Sequence, residues 1–206
     1  MDRRRRGGDP GAGRRHHLRQ LPQPPGPDGD RHPARGPGPS GGHRRNPRVT
    51  ATFEPGARFP DLELRDGAGK PTRLGEAMGG EAAVVFFLRN AACPVCRNHL
   101  KTLAKRQGDI AANQAKVISV IPDGPEEARE LATWLGVPVP VLTSGTGTHA
   151  EAGLEPIFWG KLQPSGTVLL APSREVVYGR QSALPPLGFN EKELMTALAR
   201  GAHRPV

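Results

Sequence analysis

Val84-Val85-Phe86-Phe87-Leu88-Arg89-Asn90-Ala91-Ala92-Cys93-Pro94-Val95-Cys96-Arg97 decides how this chain is read. Ala82 to Leu88 is an unbroken apolar run of strand length, as expected of a central strand covered on both faces. It leads within a few residues into a Cys-x-x-Cys turn whose Pro94 suits the first position of a helix. A thiol at a strand-to-helix corner meets the partial positive charge of the helix N-terminus, which favours thiolate over thiol. The chain holds only these 2 cysteines. A close pair of this kind is either two inert small hydrophobes or a redox couple, and the corner position with Pro94 points to thiol redox chemistry.

Outward from this stretch the periodicity alternates between strand and helix. The helix opened by the cysteines turns Leu100, Leu103 and Ile110 inward and Lys101, Lys105 and Arg106 outward, with Gly108 expected to weaken or end it. Lys116 to Ile121 reads as the next buried strand. Pro125, Glu126 and Glu127 then open a helix bearing Ala128, Leu131, Ala132 and Leu135 as one stripe, which Gly136 closes. Upstream, Phe59 to Leu74 reads as strand, turn at Asp66-Gly67-Ala68-Gly69, and strand. Downstream, Val139 to Leu142 and Thr167 to Leu170 are short strands, Glu175 to Tyr178 forms a hairpin with the latter, and Asn190 with Glu193 caps a terminal helix carrying Leu194 and Leu198. Trp134 and Trp159 are expected as core or cleft-rim aromatics, and His99 as a surface side chain on the cysteine helix. The β-α-β-α pattern predicts an α/β sheet sandwiched by helices.

Charge divides the chain. Residues 1–48 hold 12 Arg against 4 Asp, with 10 Gly, 9 Pro and no aromatic residue, whereas from Val49 onward 17 basic residues face 16 acidic ones. The formal charge of +9 therefore belongs almost wholly to the tail. A segment this rich in Gly and Pro and this poor in apolar side chains buries too little surface to offset the entropy of ordering, so residues 1–48 are expected to be disordered and 49–206 to form one domain. A chain whose native start lay near Val49 would show the same break, and the intact mass of the native protein tests that. The Arg-rich tail lacks aromatic interleaving and a recognisable nucleic-acid module, so nucleic acid is not an expected partner. No stretch is apolar enough to span a membrane and the Arg-rich start lacks the apolar segment of a secretory signal, which predicts a soluble, cytoplasmic protein.

The order of motifs resembles a family. Gly56-Ala57-Arg58-Phe59-Pro60-Asp61-Leu62-Glu63-Leu64, then Asp66-Gly67, Gly69-Lys70 and Leu74, is similar to the opening of the AhpC/TSA redoxin domains of the thioredoxin-like superfamily. The Phe-Phe strand, Cys-Pro-Val-Cys-Arg, Val-Ile-Ser-Val-Ile, and the late Gly-Thr-Val-Leu-Leu and Glu-Val-Val-Tyr hairpin follow in that family's order, from about Phe53 to Ala199. The resemblance implies a thioredoxin-like three-layer sandwich, with a central mixed sheet and helices on both faces, and a peroxiredoxin-like antioxidant oxidoreductase. It also implies two assignments of the cysteines. The peroxiredoxin Thr-x-x-Cys motif laid on this chain puts Cys93 in the place of the threonine and makes Cys96 the thiol that attacks peroxide; in thioredoxins the first cysteine attacks. The helix mouth favours Cys93 as the nucleophile and Cys96, one turn on, as the resolving thiol.

This chain departs from the peroxiredoxin pattern where a proline gives way to Arg89 and where an arginine ahead of the late strand gives way to Ser165. Arg89 and Arg97 are the candidates to contact substrate in its place, with Lys161 as a third cation. Pro164 is the candidate for the cis-proline of thioredoxin-type proteins, where a thiol partner's backbone pairs; a trans turn proline is its ordinary alternative. Cys93, Cys96 and His99 offer three soft ligands where a structural zinc site wants four, and no second cluster exists, so no metal is expected. No Gly-rich dinucleotide fingerprint follows a strand, and the electrons of a dithiol reside on sulfur, so no cofactor is expected. The predicted activity is dithiol-disulfide cycling that reduces a peroxide or a protein disulfide and is reset by an external thiol, either thioredoxin or a low-molecular-weight thiol. The competing reading is a redox-inert thioredoxin-fold scaffold whose Arg-rich tail binds polyanions.

Overall fold

The computed structural model describes residues 53–201; the tail expected to be disordered, and its boundary at residues 48/49, lie outside them. The elements run β1 (Glu63–Arg65), β2 (Pro71–Arg73), α1 (Leu74–Met78), β3 (Ala82–Phe87), α2 (Pro94–Lys105), α3 (Gln107–Ala112), β4 (Ala115–Ile121), α4 (Pro125–Leu135), β5 (Val141–Thr143), α5 (Gly145–Glu151), β6 (Ser165–Leu170), β7 (Val176–Ser182) and α6 (Glu191–Gly201). They build one mixed sheet in the order β2-β1-β5-β4-β3-β6-β7. β3, β4 and β5 are parallel, and β1, β2, β6 and β7 join antiparallel on the two sides.

Side chains of β3 alternate between two cores, as the period of a strand requires. Val84 and Phe86 face a cluster with Leu100 and Leu103 of α2, Ile110 of α3, Leu131 of α4 and Leu194 and Leu198 of α6. Val85 and Phe87 face Phe53, Phe59, Leu62, Leu74 and Met78 on the other side. Burial on both faces explains why β3 and β4 read as continuous apolar runs. The Phe53, Phe59 and Phe87 rings pack with centroids 5.8 to 6.2 Å apart and seal the second layer.

Several boundaries differ from the sequence expectation. The helix of the cysteines does not yield at Gly108, which lies inside α3; it breaks at Arg106, whose backbone leaves helical geometry (φ −87°, ψ 3°) while its guanidinium bonds Asp109 and Glu191. β6 begins at Ser165 rather than Thr167, because pairing with β7 extends to Ser165 opposite Ser182, so Pro164 stands directly before the strand. β5 is shifted to Val141–Thr143, and β7 runs beyond Tyr178 to Ser182. The turn at Asp66 is as read, with its Oδ1 accepting the N–H groups of Ala68 and Lys70 at 2.9 Å each. Neither tryptophan is a core residue: Trp134 and Trp159 both reach solvent.

Leu100 is fully buried one turn beyond Cys96. Leu100→Ala is expected to cost about 3 kcal/mol through lost transfer energy and the cavity left behind, read as a lower denaturant midpoint at unchanged slope.

Candidate active site

β3 delivers the chain to the site. Leu88 N–H still pairs with Val120 O (2.9 Å), and residues 89–92 then turn into α2. Cys93 is the N-cap of α2, with extended backbone (φ −62°, ψ 112°), Pro94 in the first turn, and its carbonyl accepting the N–H of Arg97 at 2.9 Å. A proline there loses no hydrogen bond, since the first N–H groups of a helix have no partner within it. The capping acceptor is sulfur: the backbone N–H of Cys96 points at Cys93 Sγ, 3.4 Å away. Both thiols are free; Cys93 is 8% exposed and Cys96 not at all.

Burial pushes the Cys96 thiol up to about 12, and its hydrogen bond to Cys93 acts in the same direction, against the backbone N–H and charge of Arg89, which pull it down. Cys96 therefore keeps its proton at neutral pH and shares it with Cys93 Sγ. An anionic sulfur at Cys93 would be met by the Cys96 N–H and the N-terminal end of α2.

The loop that holds Cys93 is tied down from both sides at Ala91. Its N–H donates to Asp123 Oδ2 (2.8 Å) at the carboxyl end of β4, and its carbonyl accepts from Arg97 Nε (2.6 Å). The Arg97 guanidinium lies 4.9 Å from the Trp134 ring centre and Lys101 Nζ lies 4.4 Å from it, so α4 braces α2 through a doubly cationic indole contact. Arg89 reaches the other way, donating from Nε to Gln163 O (3.0 Å) and from Nη2 to Ala183 O (2.7 Å). Both arginines singled out from the sequence thus sit beside the dithiol and are engaged with backbone carbonyls.

Pro164 lines a cleft of about 450 Å³ between Ile157 and the end of β7 at Ser182 and Ala183. Lys161 is exposed on the turn between Ile157 and Leu162, where its backbone N–H donates to Phe158 O at 3.2 Å. A second cleft of about 730 Å³ opens at the carboxyl ends of β4 and β5 and includes Asp123, Ser144 and Arg65. Asn90 Oδ1 and Ser165 Oγ are buried without a hydrogen-bond partner near the end of β3.

The imidazole expected at the surface is inside. His99 is half-buried against Phe189 (ring centres 4.9 Å) and Phe86 (6.1 Å), and burial lowers its pKa, which keeps it neutral and removes it as a source of positive charge for the thiols. Among the described residues no group of three or more His, Cys, Asp or Glu is placed to hold a metal ion. The residue sequence reasoning missed is His149 on α5, which is fully buried under the cysteine loop. Its Nε2 faces Leu88 O (3.2 Å), its Nδ1 faces Ser144 Oγ, and its ring stands edge-on to Phe87 at 5.4 Å. These partners assign the proton to Nε2 and make Nδ1 the acceptor. Burial lowers its pKa to about 4, against the pull of the Leu88 carbonyl.

Residues 55–152 match the AhpC/TSA family. Among solved structures the chain is similar to peroxidoxin BcpB from Mycobacterium tuberculosis, with 23% identity, 75% of this chain and 100% of that chain covered, and a TM-score of 0.64. It is also similar to a peroxiredoxin-like protein from Aquifex aeolicus (15% identity, 74% and 90% covered, TM-score 0.61) and to a thiol peroxidase from Chromobacterium violaceum (18%, 74% and 90%, 0.61). No curated protein matches the chain by sequence. At these identities the likeness shows the fold, a thioredoxin-like α/β sandwich. Among the described residues no helix is long and apolar enough to cross a membrane.

Proposed function

We propose that this chain, whose residues 55–152 match the AhpC/TSA family, is a thiol oxidoreductase that cycles between a Cys93/Cys96 dithiol and disulfide while reducing peroxides or protein disulfides. One observation carries the reading: Cys93, the cysteine that keeps some exposure, caps helix α2 with a sulfur that accepts the N–H of Cys96, while the fully buried Cys96 thiol beside it is held protonated.

Cys93 is the attacking thiolate. With a peroxide ROOH it takes one oxygen, giving a sulfenic acid at Cys93 and releasing ROH once the leaving oxygen is protonated. With a disulfide it bonds to one sulfur and expels the other as a thiolate. Cys96 then gives up its proton and attacks Cys93 Sγ, closing the Cys93–Cys96 bridge and releasing water or the second thiol. Two electrons have passed from the dithiol to the substrate, and an external thiol, thioredoxin or a small one, returns them. That dependence suits a reducing compartment such as the cytoplasm. The charge of Arg89 favours the anion that Cys96 must briefly become. Arg97 holds the loop on which Cys93 is presented, and Pro164 lines the cleft on the substrate side. No bound cofactor takes part in these steps, since both sulfurs come from the chain itself.

The test is to treat the reduced chain with dilute hydrogen peroxide or a model disulfide, label the remaining thiols and weigh the product. The expected result is loss of both labels together and a mass lower by two hydrogens. Two thiols that stay labelled and unresponsive to either oxidant would end this reading. The ratio of the two oxidation rates, followed by stopped flow, separates peroxidase from disulfide reductase.

A further inference from the structure

Phe158 and Trp159 stand in solvent, 70% and 98% exposed, at the tip of a hairpin closed by hydrogen bonds between Ile157 and Leu162 at 2.9 and 3.1 Å. Both have left-handed backbone, with φ of 51° and 54° ahead of Gly160. Turns of this hand are ordinarily given to Asn, Asp or Gly, and a bulky side chain there strains the backbone. An aromatic pair so placed gains little burial and adds little to the stability of its own domain, and strain retained with so small a folding benefit points to use.

The hairpin is joined to the dithiol. Its base forms one wall of the cleft at Pro164, and the end of β7 forms the other, where Leu184, 60% exposed, directly follows Ala183. Arg89 ties both walls together through Gln163 O and Ala183 O, and its own backbone N–H meets the Cys96 sulfur. The tip thus connects to the cleft through Ile157, and the cleft walls connect to the Cys96 sulfur through Arg89.

We propose that Phe158, Trp159 and Leu184 are the docking rim for a polypeptide partner, a protein segment with apolar side chains beside a disulfide that it delivers to Cys93. The proposal rests on the dithiol reading above and names the substrate class. Two exposed aromatics and a leucine present roughly 400 Å² of apolar surface, about half of the ~800 Å² per partner of a stable complex. That is too little for a lasting dimer and suits a partner that binds, exchanges and leaves. The cleft at the base of the hairpin offers polar groups, Glu155, Gln181 and Ser182, which an extended peptide backbone satisfies and a lipid layer would leave unpaired. A peroxide group, two oxygens long, spans none of this. In the exchange Cys93 sulfur bonds to one sulfur of the partner's disulfide and frees the other as a thiolate; Cys96 then displaces the bound sulfur, so two thiols leave and one internal disulfide remains.

The test is the double variant Phe158→Asn/Trp159→Asn in the full chain. Asn tolerates left-handed backbone, so the turn is kept while its apolar tip is removed. Reduction of insulin disulfides is expected to lose about 30-fold in kcat/KM, mostly in KM, while reduction of 2-hydroxyethyl disulfide changes less than about twofold. Equal losses on both substrates would make the tip structural, and no loss on either would remove it from docking; each overturns the proposal. Trp-dependent binding to phosphatidylcholine–phosphatidylglycerol vesicles, or a dimer lost in the variant, with insulin reduction unchanged, would assign the tip to lipid or to a second copy instead. A wild type that reduces the small disulfide but shows no variant effect on insulin sinks the docking rim alone, whereas a wild type inert toward every oxidant sinks the dithiol reading beneath it.

Discussion

Cys93→Ser is expected to abolish turnover, with a loss of about 10³-fold or more in kcat, while Cys96→Ser keeps the first chemical step and stops the second. The asymmetry follows from the two environments. Cys93 retains some exposure and caps α2, so an attacking sulfur there has both a path to substrate and a donor for its charge. Cys96 is sealed and protonated, so in the proposed cycle it acts as a nucleophile only toward the sulfur beside it. Mixed with a disulfide substrate, the Cys96→Ser chain is therefore expected to accumulate a mixed disulfide on Cys93, visible as a stable mass adduct, in an amount equal to the enzyme present. The reverse pattern, an adduct on Cys96 in the Cys93→Ser chain and none on Cys93, would install the peroxiredoxin alignment in its place.

Acid is expected to weaken the fold through His149. Above about pH 6.5 the imidazole is neutral in both folded and unfolded chains, and the stability it allows is fully present. Between there and its folded pKa of about 4 the unfolded chain binds a proton that the buried ring refuses, so stability falls as pH falls, and below about 4 this loss levels off. The span corresponds to a loss on the order of 3 kcal/mol. His99, also lowered by burial, contributes in the same direction. His149→Gln keeps a donor for Leu88 O and has no proton to gain, so its unfolding free energy should depend less steeply on pH across this window. Denaturant titrations at pH 7.5 and 4.5 on both chains measure the difference. Parallel pH dependences would rule out His149 as its source. Because the ring holds Leu88 O, one residue before Arg89, the loop bearing the dithiol should lose activity over the same range before the domain unfolds.

Much of the scaffold was legible because it obeys local periodicity. The apolar runs of β3 and β4, the proline-opened helix α4 and the Cys-x-x-Cys corner are written in contiguous residues. Features that depend on distant partners were not. Nothing around Asp123 signals that its carboxylate will hold Ala91, 32 positions away, and nothing in the Ser144 to His149 segment signals a ring inserted beneath Leu88. The short helices α1 and α5 passed unread, since five and seven residues carry too little pattern for a 3.6-residue period. Trp159, expected as a core or cleft-rim aromatic, stands with Phe158 on an exposed turn, and the left-handed backbone that turns them outward has no signature in the local sequence. Arg89 and Arg97 were found as cations, while their engagement with carbonyls of other segments required the fold.

Cys93 and Cys96 belong to the same packed cluster as Leu100, Leu103 and Leu131, so the proposed reactive centre and the hydrophobic core of that layer share atoms. A disulfide fits such surroundings, being small and uncharged. A sulfinate or sulfonate does not, because each adds bulk and a permanent negative charge where neither has room or hydration. Irreversible damage would then be coupled to loss of structure, and a molecule that had burned out its sulfur would expose itself to degradation instead of lingering as a folded, silent competitor for its own partners.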